Sequence, residues 1–492
     1  MLSFCIKNLL VFALAFPIIG ILLLLLVSSR REKLLKLISL NFAFTSFVSS
    51  LIICGFFQKS VGSFQFVTKF VWLPTLNINF VFGIDGISLF FLFLTTMLIP
   101  LCILASWNSV SFNVKEFLIA FLILDFFLIA TFCVLDLLLF YVFFESVLIP
   151  MFLIVGVWGS RERKILAAYY FFIYTLLGSV IMLLSILYIF DQVGTTHYET
   201  LLTFSFSEKE QKFLWFAFFL AFAGKVPMVP VHLWLPEAHV EAPTAGSVIL
   251  AGVLLKLGTY GFIRFSLPLF PKACFFFTPM IYMVAVIGII YTSFTAIRQT
   301  DFKRIIAYTS IAHMNLVILG IFSFDTVGLE GAIVQSLSHG FVASALFLVI
   351  GVVYDRYRTR IVQYYGGLAT VMPIYVIIFL FFTLANISFP GTSSFVGEFL
   401  ILAGSFKVNT TITFLGATGI IIGGAYSLWL FNRISFGNLK VQYTSKFLDL
   451  NQREFLTFFP LLLGTLIIGI YPSVFLTSIH TSVNNLIELL YF

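Results

Sequence analysis

The sequence predicts an all-α polytopic membrane protein of about fourteen transmembrane helices, built as two inverted five-helix repeats with breaks in spans seven and twelve. Three observations predict it. The first is composition: 61% of the 492 residues are hydrophobic and only 10% charged, with a mean hydropathy of +1.09. A soluble chain would need polar outer faces on its helices, and few are present. The second is run length, since the apolar runs have the roughly 20 residues that a bilayer demands. The third is a pair of proline-interrupted runs that also carry charge. With so little polar chain between runs, residues 1–492 form a single transmembrane domain.

Fourteen runs centre near residues 20, 46, 97, 126, 148, 178, 224, 255, 286, 314, 341, 388, 421 and 466. Lys7 ahead of the first raises a cleaved signal peptide. The length of the run, the absence of a small-residue cleavage site and the following Arg30 and Arg31 favour a retained span instead. Eighteen of the 28 lysines and arginines follow odd-numbered spans and seven follow even-numbered ones. Lys303, Arg304 and Lys446 belong to the first group, Arg264 and Lys272 to the second. By the positive-inside rule both termini lie on the outer side and the loop "PEAHVEAP" on the inner side. This bias accounts for the net charge of +7, so no nucleic-acid partner is implied.

Cofactor motifs are missing. Cys5, Cys54, Cys102, Cys133 and Cys274 form no CxxC pair, whereas iron–sulfur and zinc sites need clustered thiolates. There is no GxGxxG and no GxxxxGK[ST]. The chain therefore calls for no metal or nucleotide of its own. The 64 phenylalanines fit a genome biased towards T-rich codons, such as an organelle's.

The charges inside the spans carry the chemistry. Glu145 lies in "FYVFFESVLIP" of the fifth span, Lys225 in the seventh, Lys256 in "ILAGVLLKLGTYGF" of the eighth and Glu398 in the twelfth. His313 and His339 join them in the tenth and eleventh. Each mid-span charge costs roughly 2.5–3.5 kcal/mol even on a lenient insertion scale, so a compensating use is expected. The plain alternative is a structural pair, or for each histidine a neighbour's hydrogen bond. Asp125 in "LILDFFLIA" reads as structural, and His232, Glu237 and His239 receive no role. No residue resembles an activated nucleophile. Acids and bases spaced through a bilayer can pass protons. Burial disfavours an ammonium and a nearby carboxylate restores it, which makes a Glu–Lys pair an electrostatic switch. A solute transporter could carry such charges too.

Pro227 and Pro230 deny the seventh span two backbone donors just after Lys225. Pro390 and Gly391 precede Glu398 in "FPGTSSFVGEF". Unwound backbone at membrane depth is tolerated where it faces protein or a polar path. Two broken spans five apart predict paired repeats, and an odd offset inverts the second. Their limits are about 110–266 and 274–435.

These residues carry a resemblance. "GIDGISLFF" (83–91), the Glu145 segment, "AGKVPMVPVHLWLPEAHVEAPTAGSVILAGVLLKLGTYGF" (223–262), "DFKRIIAYTSIAHMN" (301–315) and "FPGTSSFVGEF" together resemble the antiporter-like proton-pumping subunits of respiratory complex I. The match spans nearly the whole chain. Two features narrow the branch: a glutamate at 398 where other members usually carry lysine, and no long lateral helix past the fourteenth span. The resemblance implies an input pair, Glu145 and Lys225, and a central relay, Lys256. It implies that His313 and His339 extend the path and that Glu398 releases the proton outward. It also implies a hetero-oligomer in the mitochondrial inner membrane, with termini in the intermembrane space by the charge rule. Other membrane-arm subunits would lie on both sides, with lipids around them. NADH, FMN, iron–sulfur clusters and ubiquinone would be handled by other subunits. A subunit of a multisubunit cation/proton antiporter, a plastid or bacterial homologue, and a stand-alone secondary transporter remain as alternatives.

Overall fold

The computed structural model describes residues 8–440, 442–443 and 448–491. Lys7, Lys446 and Cys5 lie outside them. Among the described residues, twelve helices are long and apolar enough to cross a bilayer. In chain order they are Leu9–Leu26, Glu32–Phe56, Gly86–Ala105, Val114–Cys133, Leu137–Trp158, Lys164–Val193, Thr244–Leu269, Pro271–Arg298, Phe302–Ile321, Thr326–Tyr357, Thr410–Ser435 and Gln452–Ile470. The remaining two expected spans, the seventh and twelfth, are each built in two pieces.

Seventh-span helix Glu208–Lys225 stops at the prolines and resumes as Trp234–Glu241. Its first piece begins on a capping box between Ser207 and Glu210, which satisfies two orphan backbone donors. Pro227 has no N–H for the Ala223 carbonyl, which instead accepts from Met228 N at 3.0 Å; the Gly224 carbonyl that Met228 would have bonded accepts from the Trp234 indole at 2.9 Å. The twelfth span runs Pro373–Asn386, unwinds, and resumes as Ser393–Val408. Gly391 turns the chain with φ +92°, a conformation that costs glycine nothing. Ser338 then ties the second piece to the eleventh span through Ser393 at 2.7 Å and Ser394 at 2.8 Å.

The eleventh span forms the axis of the molecule. The most apolar stretches of the eighth and eleventh spans are wholly buried, whereas only a third of those of the first, second and sixth is buried. Such all-round burial needs small residues at the crossings. A Cβ on Gly397 would lie 2.7 Å from the Gln335 backbone, so only glycine lets the eleventh and twelfth spans approach this closely.

Two elements escape a search for twenty-residue apolar runs. Strands β1 (Gln65–Leu73) and β2 (Ile78–Ile84) form an antiparallel hairpin between spans two and three. Beyond the fourteenth span a further helix, Ser473–Tyr491, packs against the start of the third span. Its Ser482 accepts a hydrogen bond from Gly86 N at 3.0 Å, and Phe475 packs on Phe90 with ring centroids 4.8 Å apart. Serines and asparagines interrupt its hydrophobicity every turn, so it reads as amphipathic rather than spanning.

Candidate functional site: a line of buried protonatable groups

The structure places all six expected residues inside the helix bundle and sorts them into two groups. In the first, Lys225 Nζ lies 3.7 Å from Glu145 Oε1, with side chains 4% and 14% exposed. This is a charge contact rather than a hydrogen bond. The ammonium instead donates to the Phe144 carbonyl at 2.5 Å and sits 3.2 Å from the Phe144 ring centroid. Both contacts stabilise a cation. The fifth span is loosened here: helix Leu137–Ser146 passes into Leu148–Trp158 through Val147, whose N–H reaches the Phe143 carbonyl at 3.3 Å.

The second group is a continuous line. Lys256 Nζ lies 2.8 Å from His339 Nδ1. The His339 and His313 rings are 5.9 Å apart. His313 Nδ1 lies 2.9 Å from Glu398 Oε1, which also accepts from Gln335 Nε2 at 3.0 Å. Lys256, His339 and Glu398 are buried, and His313 is partly exposed. His339 Nε2, His313 Nε2 and Glu398 Oε2 have no hydrogen-bond partner among the described residues, so each keeps a site for a further donor or acceptor. A cavity of ≈ 20 Å³ opens beside His313 and Glu398, lined also by Asn386, Gly419 and Tyr426, room for about one water.

The eighth span is irregular around Lys256. Leu250–Leu254 and Phe262–Ser266 are wound as π turns on either side of Leu255–Gly261. Such turns free carbonyls from the helical ladder and concentrate at functional positions. Lys256 donates to one of these carbonyls, Ala251 O, at 2.5 Å. No direct bond joins the two groups. Their helices meet at Gly258, where a Cβ would lie 2.5 Å from Val226 and 2.8 Å from Phe222 O.

Sequence reasoning missed an approach to this line. Lys303, counted as a loop charge, is buried and donates to Ala242 O at 2.7 Å and to Ser247 Oγ at 3.3 Å. Ser247 donates to the His239 carbonyl at 3.1 Å. His239 is fully buried and stacks on Phe347 at 4.5 Å, both ring nitrogens unpartnered among the described residues. A cavity of ≈ 610 Å³ is lined by Arg161, Asp301, Arg304 and the next residues along the chain from His239, Val240 and Glu241. Glu237 pairs with Arg304 at 2.6 Å. His232 lies at the seventh-span break against Tyr291. Asp125 is buried in the fourth span with Ser46 donating to its Oδ2 at 3.2 Å, while its Oδ1 has no hydrogen-bond partner among the described residues.

Such an arrangement can hold and transfer protons, and it contains no nucleophile–base pair. Comparison with known proteins agrees with that chemistry. Residues 134–423 match the family described as NADH:quinone oxidoreductase/Mrp antiporter, and residues 12–131 match NADH-ubiquinone oxidoreductase chain 4, amino terminus. The chain is 60% identical to NADH-ubiquinone oxidoreductase chain 4 of Marchantia polymorpha, covering 96% of this chain and 95% of the relative. It is 45% identical to that of Mycosarcoma maydis, covering 96% and 98%. Among solved structures it superposes on a chain of respiratory complex I from Thermus thermophilus with bound NADH. The TM-score is 0.89, with 29% identity and 99% of each chain covered. Fourteen-span fold, buried Glu, Lys and His line and near-full-length similarity together place this chain in the NADH-ubiquinone oxidoreductase chain 4 family.

Proposed function

We propose that this chain is a proton-translocating membrane-arm subunit of respiratory complex I, driven by electron transfer from NADH to ubiquinone in partner subunits. The observation that carries the mechanism is the buried run Lys256–His339–His313–Glu398, with contacts of 2.8 and 2.9 Å at its ends. In this reading Glu145 and Lys225 form the input switch. Lys256 holds the proton centrally, His339 and His313 pass it on, and Glu398 releases it beside the ≈ 20 Å³ cavity. Lys303 and His239, each next in sequence to a residue lining the ≈ 610 Å³ cavity, Arg304 and Val240, are read as the approach to Lys256. NADH, FMN, iron–sulfur clusters and ubiquinone belong to other subunits.

Spans four to eight and nine to thirteen read as two inverted copies. What supports this is a repeated pairing. Span five pairs with span seven through Glu145 and Lys225, and span ten with span twelve through His313 and Glu398. The offset is five in both, with acid and base exchanged. In each copy the charge lies next to the broken helix.

Glu398→Gln keeps the side-chain volume and removes the group that releases the proton. Assembled variant complexes are expected to pump fewer protons per electron pair, measured as proton uptake by proteoliposomes against NADH consumed. An unchanged ratio removes Glu398 from the path. Orientation has its own test. Both ends of the chain are expected in the intermembrane space of mitochondria, because basic residues concentrate after odd-numbered spans. Protease treatment of mitoplasts, read with antibodies to each end, checks this; a protected C-terminus reverses the assignment.

A further inference from the structure

We propose that Arg264, locked onto Asp85, closes the eighth span towards the outer face and so directs the proton on Lys256 sideways to His339. The inference rests on the relay reading above and deepens it. Lys256 and Arg264 share one helix, eight residues apart, about 12 Å along the axis. Side chains on a helix lean towards its N-terminus, and Lys256 does so, reaching back to Ala251 O. Its ammonium therefore points away from Arg264 and towards the level of His339.

Arg264 sits in the second π turn, 4% exposed. Its Nη2 donates to Asp85 Oδ1 at 2.6 Å and its Nε to the Tyr260 hydroxyl at 3.2 Å. Tyr260 in turn donates to the Phe132 carbonyl at 3.0 Å. Asp85 also accepts from Ser88 N at 2.9 Å, which caps the third span. The guanidinium carbon lies 5.1, 5.7 and 5.4 Å from the ring centroids of Phe64, Tyr198 and Tyr260. Below this cage, Phe91, Phe132 and Phe140 surround Tyr260 at 5.2–6.3 Å.

A proton moving outward needs an acceptor at each step. The guanidinium accepts none and does not release the proton it has. The Tyr260 proton is committed to Phe132 O. Of the buried carboxylates beside these rings, Asp85 is held by Arg264 and Ser88 N, and Asp136 by Thr196, Leu138 N and Leu139 N. Aromatic rings fill the remaining space. The other end of the line differs: Glu398 keeps an unpartnered oxygen beside a cavity. Arg264 is thus a positioning residue, setting where the proton cannot go.

A purely structural ion pair and a seal differ in one readout, proton leak. Intact complexes carrying Arg264→Gln, reconstituted in proteoliposomes without NADH, are expected to dissipate an imposed pH gradient several-fold faster than wild type. The freed Asp85 carboxylate then becomes a relay. The doubly neutral Arg264→Gln/Asp85→Asn complex keeps hydrogen-bonding side chains of similar shape and is expected to be tight again. Arg264→Lys keeps a cation on Asp85 but one that can release its proton, and is expected to leak at an intermediate rate. It serves where the glutamine variant does not assemble. Tight Arg264→Gln or Arg264→Lys complexes overturn the proposal, as does a double variant that leaks as fast as the single one. Adding Lys256→Met to Arg264→Gln separates the two readings. Closure of the leak upholds both, whereas a persisting leak keeps the seal and removes Lys256 from the path.

Discussion

Complexes carrying Lys256→Met are expected to assemble, to lose proton pumping and to lose most coupled quinone reduction. Assembly is expected because the terms nearly cancel. Methionine matches the lysine stem in length and fills the same fully buried space. The change leaves Ala251 O and His339 Nδ1 without the donor they share, each at about 1–3 kcal/mol. It also removes a mid-membrane ammonium that costs roughly 2.5–3.5 kcal/mol to bury. Pumping is expected to fail because no other titratable group bonds to His339 Nδ1. A positioned proton-transfer group contributes about 10²–10⁴ in rate, so turnover tied to that transfer falls to a small fraction. Lys256→Arg refines the test: it keeps the charge, but a guanidinium does not release its proton. It is expected to fail as methionine does. Proton uptake in proteoliposomes measures both variants. Normal uptake with arginine makes Lys256 a fixed charge, and normal uptake with methionine removes it from the path.

The parts of this site that sequence made legible are those that stand out against hydrocarbon. Glu145, Lys225, Lys256 and Glu398 interrupt apolar runs at a cost that demands a reason, and prolines mark both breaks. His313 and His339 were visible only as lone polar residues. What joins them is their proximity across spans ten and eleven, with rings 5.9 Å apart, which no local pattern encodes. Arg264 and Lys303 were misplaced for a different reason. Near a span end, a basic residue looks like a loop charge whether it faces water or folds back into protein. Both are buried, because Asp85 in one case and Ala242 O and Ser247 in the other supply partners distant in sequence. The π turns flanking Lys256 carry no residue signature at all. They follow from how the eighth span is packed, and residue type does not report that. The hairpin of β1 and β2 was lost to averaging over twenty residues, although its strands are apolar.

Glu145→Gln is expected to abolish most pumping, whereas Glu145→Asp retains part of it. The prediction rests on charge at a distance the structure now supplies. At 3.7 Å and an effective dielectric of about 20, the pair interacts by about 4 kcal/mol. Lys225 has other cation-stabilising contacts in Phe144 O and the Phe144 ring, but these are fixed and cannot switch it. The carboxylate is the group of the pair whose charge can be set from outside it. Glutamine keeps the volume and removes the charge, so Lys225 is left in one state and the switch does not cycle. Aspartate keeps the charge on a stem one carbon shorter, which weakens the coupling without ending it. The comparison is made in equally assembled complexes as protons pumped per NADH oxidised. If the glutamine variant pumps as well as the aspartate variant, Glu145 does not set the state of Lys225. The lysine is then held by Phe144 alone, as a structural cation beside a helix break.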